Sequence, residues 1–183
     1  MLYFITGNAK KFAEAKAIIP EIQQLAIDLP EIQELNPQAI LEAKLEAARS
    51  QHPEGSFLVE DTSLELDGLN GLPGPLIKWF LERLGSSGIQ ELVVGKSSTA
   101  TARTVIGYAS EKGELEFFEG ATTGQIVPPN TTESFGWDPI FLPDGSDKRY
   151  SEMTLEEKNA TSHRGKAFKS LSQHLTPKSD KSI

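Results

Sequence analysis

The chain opens with a short apolar run, Leu2-Tyr3-Phe4-Ile5, that stops at Thr6-Gly7-Asn8 and passes through Ala9-Lys10-Lys11 into a helical pattern. Four residues of aromatic and branched character read as a buried strand. Gly7 permits a tight turn or close approach to a ligand, and Asn8 tolerates the left-handed region or offers an amide. A helix starting there directs its first N–H groups and the positive end of its dipole at the turn, a natural seat for phosphate, with Lys10 and Lys11 adding charge. An ordinary strand-to-helix turn beside two solvated lysines fits the same residues. The spacing is not that of a Walker loop. Where strand and helix go on alternating in this way, the pattern is that of an α/β arrangement.

The same alternation continues. A helical pattern covers residues near 10–19, Gln24 to Leu29 reads as a second strand, and Pro37 starts a helix reaching about Arg49. Phe57-Leu58-Val59 enters a strand whose polar exit is Glu60-Asp61-Thr62. Leu69 to Pro75 is a turn-rich loop, with Pro75 suited to the first position of a helix that Gly85 would end. Ala102 to Ala109 and Leu115 to Phe118 pair across Lys112-Gly113, Thr123 to Val127 forms another strand, and Pro139 to Leu142 a short one. Thr154-Leu155-Glu156-Glu157 matches a capping box that opens helical structure to about Leu175. The expectation is one α/β domain over residues 1–183, with helices around a mixed central sheet.

Composition narrows the function. The net charge of −8 opposes a surface that tracks a nucleic-acid backbone. It leaves room for a cleft where lysines meet a small anion and carboxylates hold a metal. With no cysteine and three histidines, thiolate chemistry is excluded and a histidine metal site disfavoured. A serine hydrolase lacks its G-x-S-x-G elbow. The strand pattern starts without a basic leader and no apolar run reaches membrane-spanning length, so cytoplasmic residence and no membrane partner are expected.

Glu60 and Asp61 are the strongest acidic candidates, since the end of an apolar strand is where open α/β sheets bind ligands. Thr62 follows with a hydroxyl. Neighbouring strand residues face opposite ways, so one carboxylate of the two points into a given site. Magnesium needs few protein carboxylates, completing its shell with water and phosphate. A pair of solvated charges is the plainer reading. Lys44 falls between Ile40 and Ala48, inside the apolar stripe of its helix at about 100° per residue. There it must snorkel or meet an anion. Lys78 lies with Glu82 opposite the apolar face of its own helix, where a solvated lysine is the simpler reading. In Phe135-Gly136-Trp137-Asp138-Pro139, an aromatic face could stack on a nucleobase and a carboxylate accept from its N–H groups, or the aromatics could cap a core. Lys158 opens the last polar stretch, in which His163 and Arg164 offer donors; Arg164 heads a stripe with Phe168, Leu171 and Leu175.

Taken in order, Thr6 to Lys11, Asp28-Leu29-Pro30-Glu31, Val59 to Thr62, Gly71 to Pro75 with Ile77-Lys78-Trp79-Phe80, Phe135 to Pro139, and Glu157-Lys158-Asn159 with Ser162-His163-Arg164 resemble the inosine triphosphate pyrophosphatase (Ham1-like) family. Glu-Asp-Thr and Gly-Pro-Leu-Ile-Lys-Trp-Phe look closer to its eukaryotic branch. The resemblance implies two lobes about a deep cleft, a homodimer, and hydrolysis of ITP, dITP and XTP to monophosphate and pyrophosphate with magnesium, manganese being possible. By position, Thr6, Gly7, Asn8, Ala9, Lys10 and Lys11 would bind the triphosphate, and Lys44 and Lys78 would neutralise it. Glu31 and Asp61 would hold the metal, with Asp61 orienting or deprotonating the attacking water. Phe135, Gly136, Trp137 and Asp138 would hold the base, with Lys158, His163 and Arg164 closing around it. Ser63 departs from the glycine or cysteine common in relatives, which would alter the turn after Asp61. A Maf-type pyrophosphatase with pyrimidine preference and a non-catalytic nucleotide sensor are the competing readings.

Overall fold

The computed structural model describes residues 1–52, 54–130 and 136–176. β1 (Leu2–Ile5) leads through the Thr6-Gly7-Asn8 turn into α1 (Ala9–Lys16), and β2 (Gln23–Leu25) follows. β2 is shorter than the sequence pattern suggests. Among the described residues it pairs with β1 alone, in parallel and in register Tyr3↔Gln23 to Ile5↔Leu25, and where β1 turns away at Thr6 its hydrogen-bonding partner ends. Residues 26–36 then run without regular structure to α2 (Pro37–Gln51), which Asn36 caps.

The largest departure from expectation is β3 (Ser56–Leu66), eleven residues long. Glu60 and Asp61 lie in its middle, not at its exit, and there is no turn after Asp61 for Ser63 to alter. β3 pairs in parallel with β1 and antiparallel with β5 (Thr99–Ala109), and β5 forms a long hairpin with β6 (Leu115–Ile126). The two strands expected in residues 115–127 are therefore one. Gly120, between the two expected strands, is where α5 crosses the sheet: a Cβ there would lie 2.1 Å from the carbonyl oxygen of His163.

β4 (Pro73–Gly74) adds to the distal end of β3, so the helix expected from Pro75 begins later, as α3 (Ile77–Glu91). Gly85 breaks the helical dihedrals, at φ 66° and ψ 179°, but the chain resumes its helix instead of ending it. Asp138–Ile140 is a 3-10 turn ahead of β7 (Phe141–Pro143), which completes the sheet order β2-β1-β3-β5-β6-β7. The capping box at Thr154 opens α4 (Leu155–Thr161). Ser162 then ends α4 and caps α5 (His163–Leu175), so the last helical stretch is two helices.

Strand alternation sorts the core. Phe57 and Val59 pack under α2 with Leu41, Leu45 and Ala48, while Leu58 faces α1 and α5 with Phe4, Ile106 and Phe168. Further along, Leu64, Leu66 and Ala100 meet Ile89 of α3, Trp137 and Phe141. Among the described residues no helix is long and apolar enough to cross a membrane.

Candidate active site

Between the α1/α5 and α3 packing regions lies a cavity of about 920 Å³. Thr6, Gly7, Asn8 and Lys11 line one part of it, together with Lys44, Glu31 and Lys78. Gly136, Trp137, Asp138, Lys158, His163 and Arg164 line another. A smaller space of about 120 Å³ adjoins it and is bounded by Asp61, Glu31, Lys44 and Lys78. Ala9 and Lys10 sit exposed at the start of α1. Phe135 lies outside the described residues. The side chain of Asn8 accepts from the backbone N–H groups of Lys10 and Lys11, so part of the anticipated phosphate seat is occupied by the cap itself.

At the heart of the site a chain of alternating charges runs through the protein interior. Lys11 Nζ stands 2.7 Å from Glu60 Oε1. Arg164 meets Glu60 through two nitrogens, Nε at 2.9 Å and Nη2 at 3.1 Å, and Glu14 through Nη1 at 2.6 Å. Lys158 Nζ bridges Glu14 at 2.9 Å and Asp138 at 2.6 Å. The Thr62 hydroxyl donates to Glu60 Oε1 at 3.2 Å and accepts from Arg164. Burial would raise Glu60, yet Arg164 and Lys11 outweigh it and hold the carboxyl well below the usual carboxylate range. Burial would likewise raise Glu14, but Arg164 and Lys158 bring it down.

Alternation along β3 turns Asp61 away from this chain. Burial pushes its carboxyl up, against the pull of Lys44, and its Oδ2 is buried with no hydrogen-bond partner among the described residues. Lys44 is half-buried in α2 as its apolar stripe requires, and burial lowers its pKa despite the nearby Asp61 charge. Glu31 and Lys78, distant in sequence, meet at 2.5 Å where both are about half exposed, and the hydrogen bond from Lys78 lowers the carboxyl. Beside them Trp79 Nε1 donates to Gln33 Oε1 at 2.6 Å. At the other end, burial raises Asp138 in spite of Lys158, and burial drives His163 well below its ordinary value, so its imidazole is neutral.

Residues 2–174 match the Ham1 family. The chain belongs to that family. It is 42% identical over 187 residues to an inosine triphosphate pyrophosphatase of Puccinia graminis f. sp. tritici, covering 96% of each protein. Among solved structures, a HAM1 protein from Coxiella burnetii superposes with a TM-score of 0.82 at 25% identity, covering 97% of this chain and 100% of that one. A dITP/XTP pyrophosphatase from Mycobacterium abscessus gives 0.68 at 26% identity, covering 97% and 100%. The Staphylococcus aureus Ham1 protein shares the fold at 0.72 and 24% identity, covering 96% and 98%.

Glu14 is the member of this Ham1-family site that motif reading passed over. The same argument that singles out Lys44 applies to it. Three residues after Lys11 and next to Ala15, it is a charge on the buried face of α1, 5% exposed.

Proposed function

We propose that this chain hydrolyses the non-canonical purine triphosphates ITP, dITP and XTP to their monophosphates and pyrophosphate, as one domain working in a cytoplasmic homodimer whose two lobes flank the cavity. The observation that carries this reading is one cavity with unlike ends. Lys11, Lys44 and Lys78 line it where the small acidic space adjoins, and Trp137, Asp138, Lys158 and His163 line it away from that space. A triphosphate and a purine have the matching chemistry, and the 42% identical relative is named an inosine triphosphate pyrophosphatase.

Magnesium fits the acidic side chains present, with manganese an alternative of the same hard-oxygen preference. The buried Oδ2 of Asp61 has no partner among the described residues, and Glu31 is a half-exposed carboxylate bordering the same small space. No group of three or more potential ligands is found among the described residues. The protein would thus supply two carboxylates and leave the other positions to water and phosphate oxygens. When bound, the ion supplies Lewis-acid polarisation and charge neutralisation at the phosphates.

The protein's own part is positioning and proton handling. Asp61, its affinity for a proton raised by burial, orients and deprotonates the water that attacks the α-phosphorus. Lys11, Lys44 and Lys78 stabilise the charge that collects on the departing pyrophosphate. Trp137 stacks on the base, while Asp138 and Lys158 read the 6-keto, N1–H edge and leave the 6-amino group of adenine without a partner. Substrate would displace Lys78 from Glu31, freeing one for phosphate and the other for metal.

The test is pyrophosphate release from ITP, XTP, GTP, ATP and dUTP, with and without magnesium. Metal-dependent cleavage of ITP and XTP is expected, with GTP, which shares the 6-keto edge, cleaved much more slowly and ATP and dUTP left intact. Cleavage of dUTP would move the chain toward the Maf-type reading. Tight ITP binding without turnover at any metal concentration would make it a sensor.

A further inference from the structure

Four aromatic rings run from the core to the cavity wall at the base end. Phe141 and Tyr150 stack with centroids 5.0 Å apart, Tyr150 meets His163 at 5.8 Å, and His163 stacks on Trp137 at 6.0 Å. His163 and Trp137 line the cavity, whereas Tyr150 lies behind them, 2% exposed. Tyr150 also carries a charge on its face, since Lys158 Nζ stands 5.5 Å from its ring centroid.

The polar atoms of these rings add little to their placement. His163 Nδ1 and Trp137 Nε1 are buried without a hydrogen-bond partner among the described residues, and the Tyr150 hydroxyl makes no well-formed hydrogen bond there, its nearest polar neighbours being the Thr122 side chain and the His163 backbone. Burial pushes the Tyr150 phenol up to about 12, so it stays neutral. The orientation of the His163 imidazole is thus set chiefly by the rings on its two sides. The position of Lys158 depends on Asp138, Glu14 and the face of Tyr150.

We propose that Tyr150 is a positioning residue for base choice, its ring fixing His163 and Lys158 against the purine without touching it. The inference rests on the purine triphosphate reading above. What matters is the ring more than the hydroxyl, because the hydroxyl has only its weak interactions with Thr122 and the His163 backbone to lose. This separates Tyr150 from an ordinary core aromatic, whose removal would lower the amount of folded enzyme and leave the surviving molecules unchanged.

The experiment compares Tyr150→Phe, Tyr150→Leu and Tyr150→Met with wild type in steady-state hydrolysis of ITP and GTP, alongside a thermal melt of each. Tyr150→Met fills the space with a flexible chain and takes the place of Tyr150→Leu should that variant fail to fold. Tyr150→Phe is expected to stay within about twofold of wild type in KM and selectivity, since only the weak contacts of the hydroxyl are lost. Loss of the ring is expected to raise KM for ITP about tenfold with kcat changed less than about threefold, and to narrow the ITP-over-GTP ratio of kcat/KM. Wild-type KM and selectivity in a folded ringless variant would overturn the proposal. So would equal damage from Tyr150→Phe, or a fall in kcat alone, equal for both nucleotides. Wild-type enzyme inactive on ITP is a different failure, that of the functional reading, and is seen before any variant is compared.

Discussion

Replacing Glu60 by glutamine tests whether the buried charge chain holds the site together. Its two oxygens serve Arg164, Lys11 and Thr62 at once, and both the carboxylate and Arg164 are almost fully buried. Glutamine keeps the size and one acceptor but leaves a buried guanidinium with Glu14 as its remaining carboxylate. Breaking a buried pair from one side costs roughly 3–5 kcal/mol. The lower end applies, since Arg164 retains Glu14 at 2.6 Å and Lys11, whose side chain is 24% exposed, can turn to solvent. About 3 kcal/mol in a chain of this length lowers Tm by roughly 6–12 °C. The pH signature has a definite sign. The folded pKa of Glu60 is depressed, so its stabilisation is present above the unfolded carboxylate range and is lost as pH falls below it. Urea unfolding followed by circular dichroism at pH 7 and pH 4 should show the variant's deficit shrinking at the lower pH. A deficit under about 1 kcal/mol at pH 7, or one that does not shrink in acid, would refute the claim that the Glu60 charge holds the buried chain together.

Asp61→Asn should lower kcat for ITP by at least about a hundredfold while nucleotide binding persists, the scale of a lost general base. Turnover near wild type would remove Asp61 from the proton-handling role. His163→Gln should flatten the pH dependence of stability between about pH 6.5 and 5. The folded imidazole stays neutral while the unfolded one takes a proton, so wild type loses stability from this group as pH falls, at a slope rising from about 0.7 to about 1.4 kcal/mol per pH unit across that window. Identical slopes for the two proteins in urea titrations would contradict the buried, neutral assignment.

What the sequence made legible was mostly what helical geometry and strand alternation control. Lys44 and Arg164 stand out because each is a charge in an apolar stripe, and both are half-buried or buried at the cavity. The extent of β3 was not legible, because Glu60-Asp61-Thr62 reads as a polar exit. Its continuation depends on Arg164, over a hundred residues away in sequence, which satisfies Glu60 inside the fold. β6 reads as two strands in the sequence, Leu115 to Phe118 and Thr123 to Val127, whereas Gly120 between them is required by the close approach of α5. The pairing of Lys78 with Glu31 is likewise a tertiary fact, since the helical face of Lys78 gave no hint of a partner.

The neighbouring carboxylates show why β3 must run straight through the site. A strand ending at Val59 would leave both in solvent, free to ionise alike. Held inside a strand, they are sent to opposite faces. Glu60 meets two cations and stays charged, a fixed counter-ion for Arg164 and Lys11. Asp61 meets burial first and one half-buried lysine second, so its affinity for a proton rises. Adjacent groups whose environments push their pKa values apart can take different tasks within a single site. One carboxylate is committed to structure, and the other, with a buried oxygen lacking a partner among the described residues, remains available to metal, water and proton. Exchanging their identities, with aspartate at 60 and glutamate at 61, would keep the charge and composition of β3. It would shorten the reach to Arg164 and crowd the space beside Lys44, so the order Glu-Asp is itself part of the site.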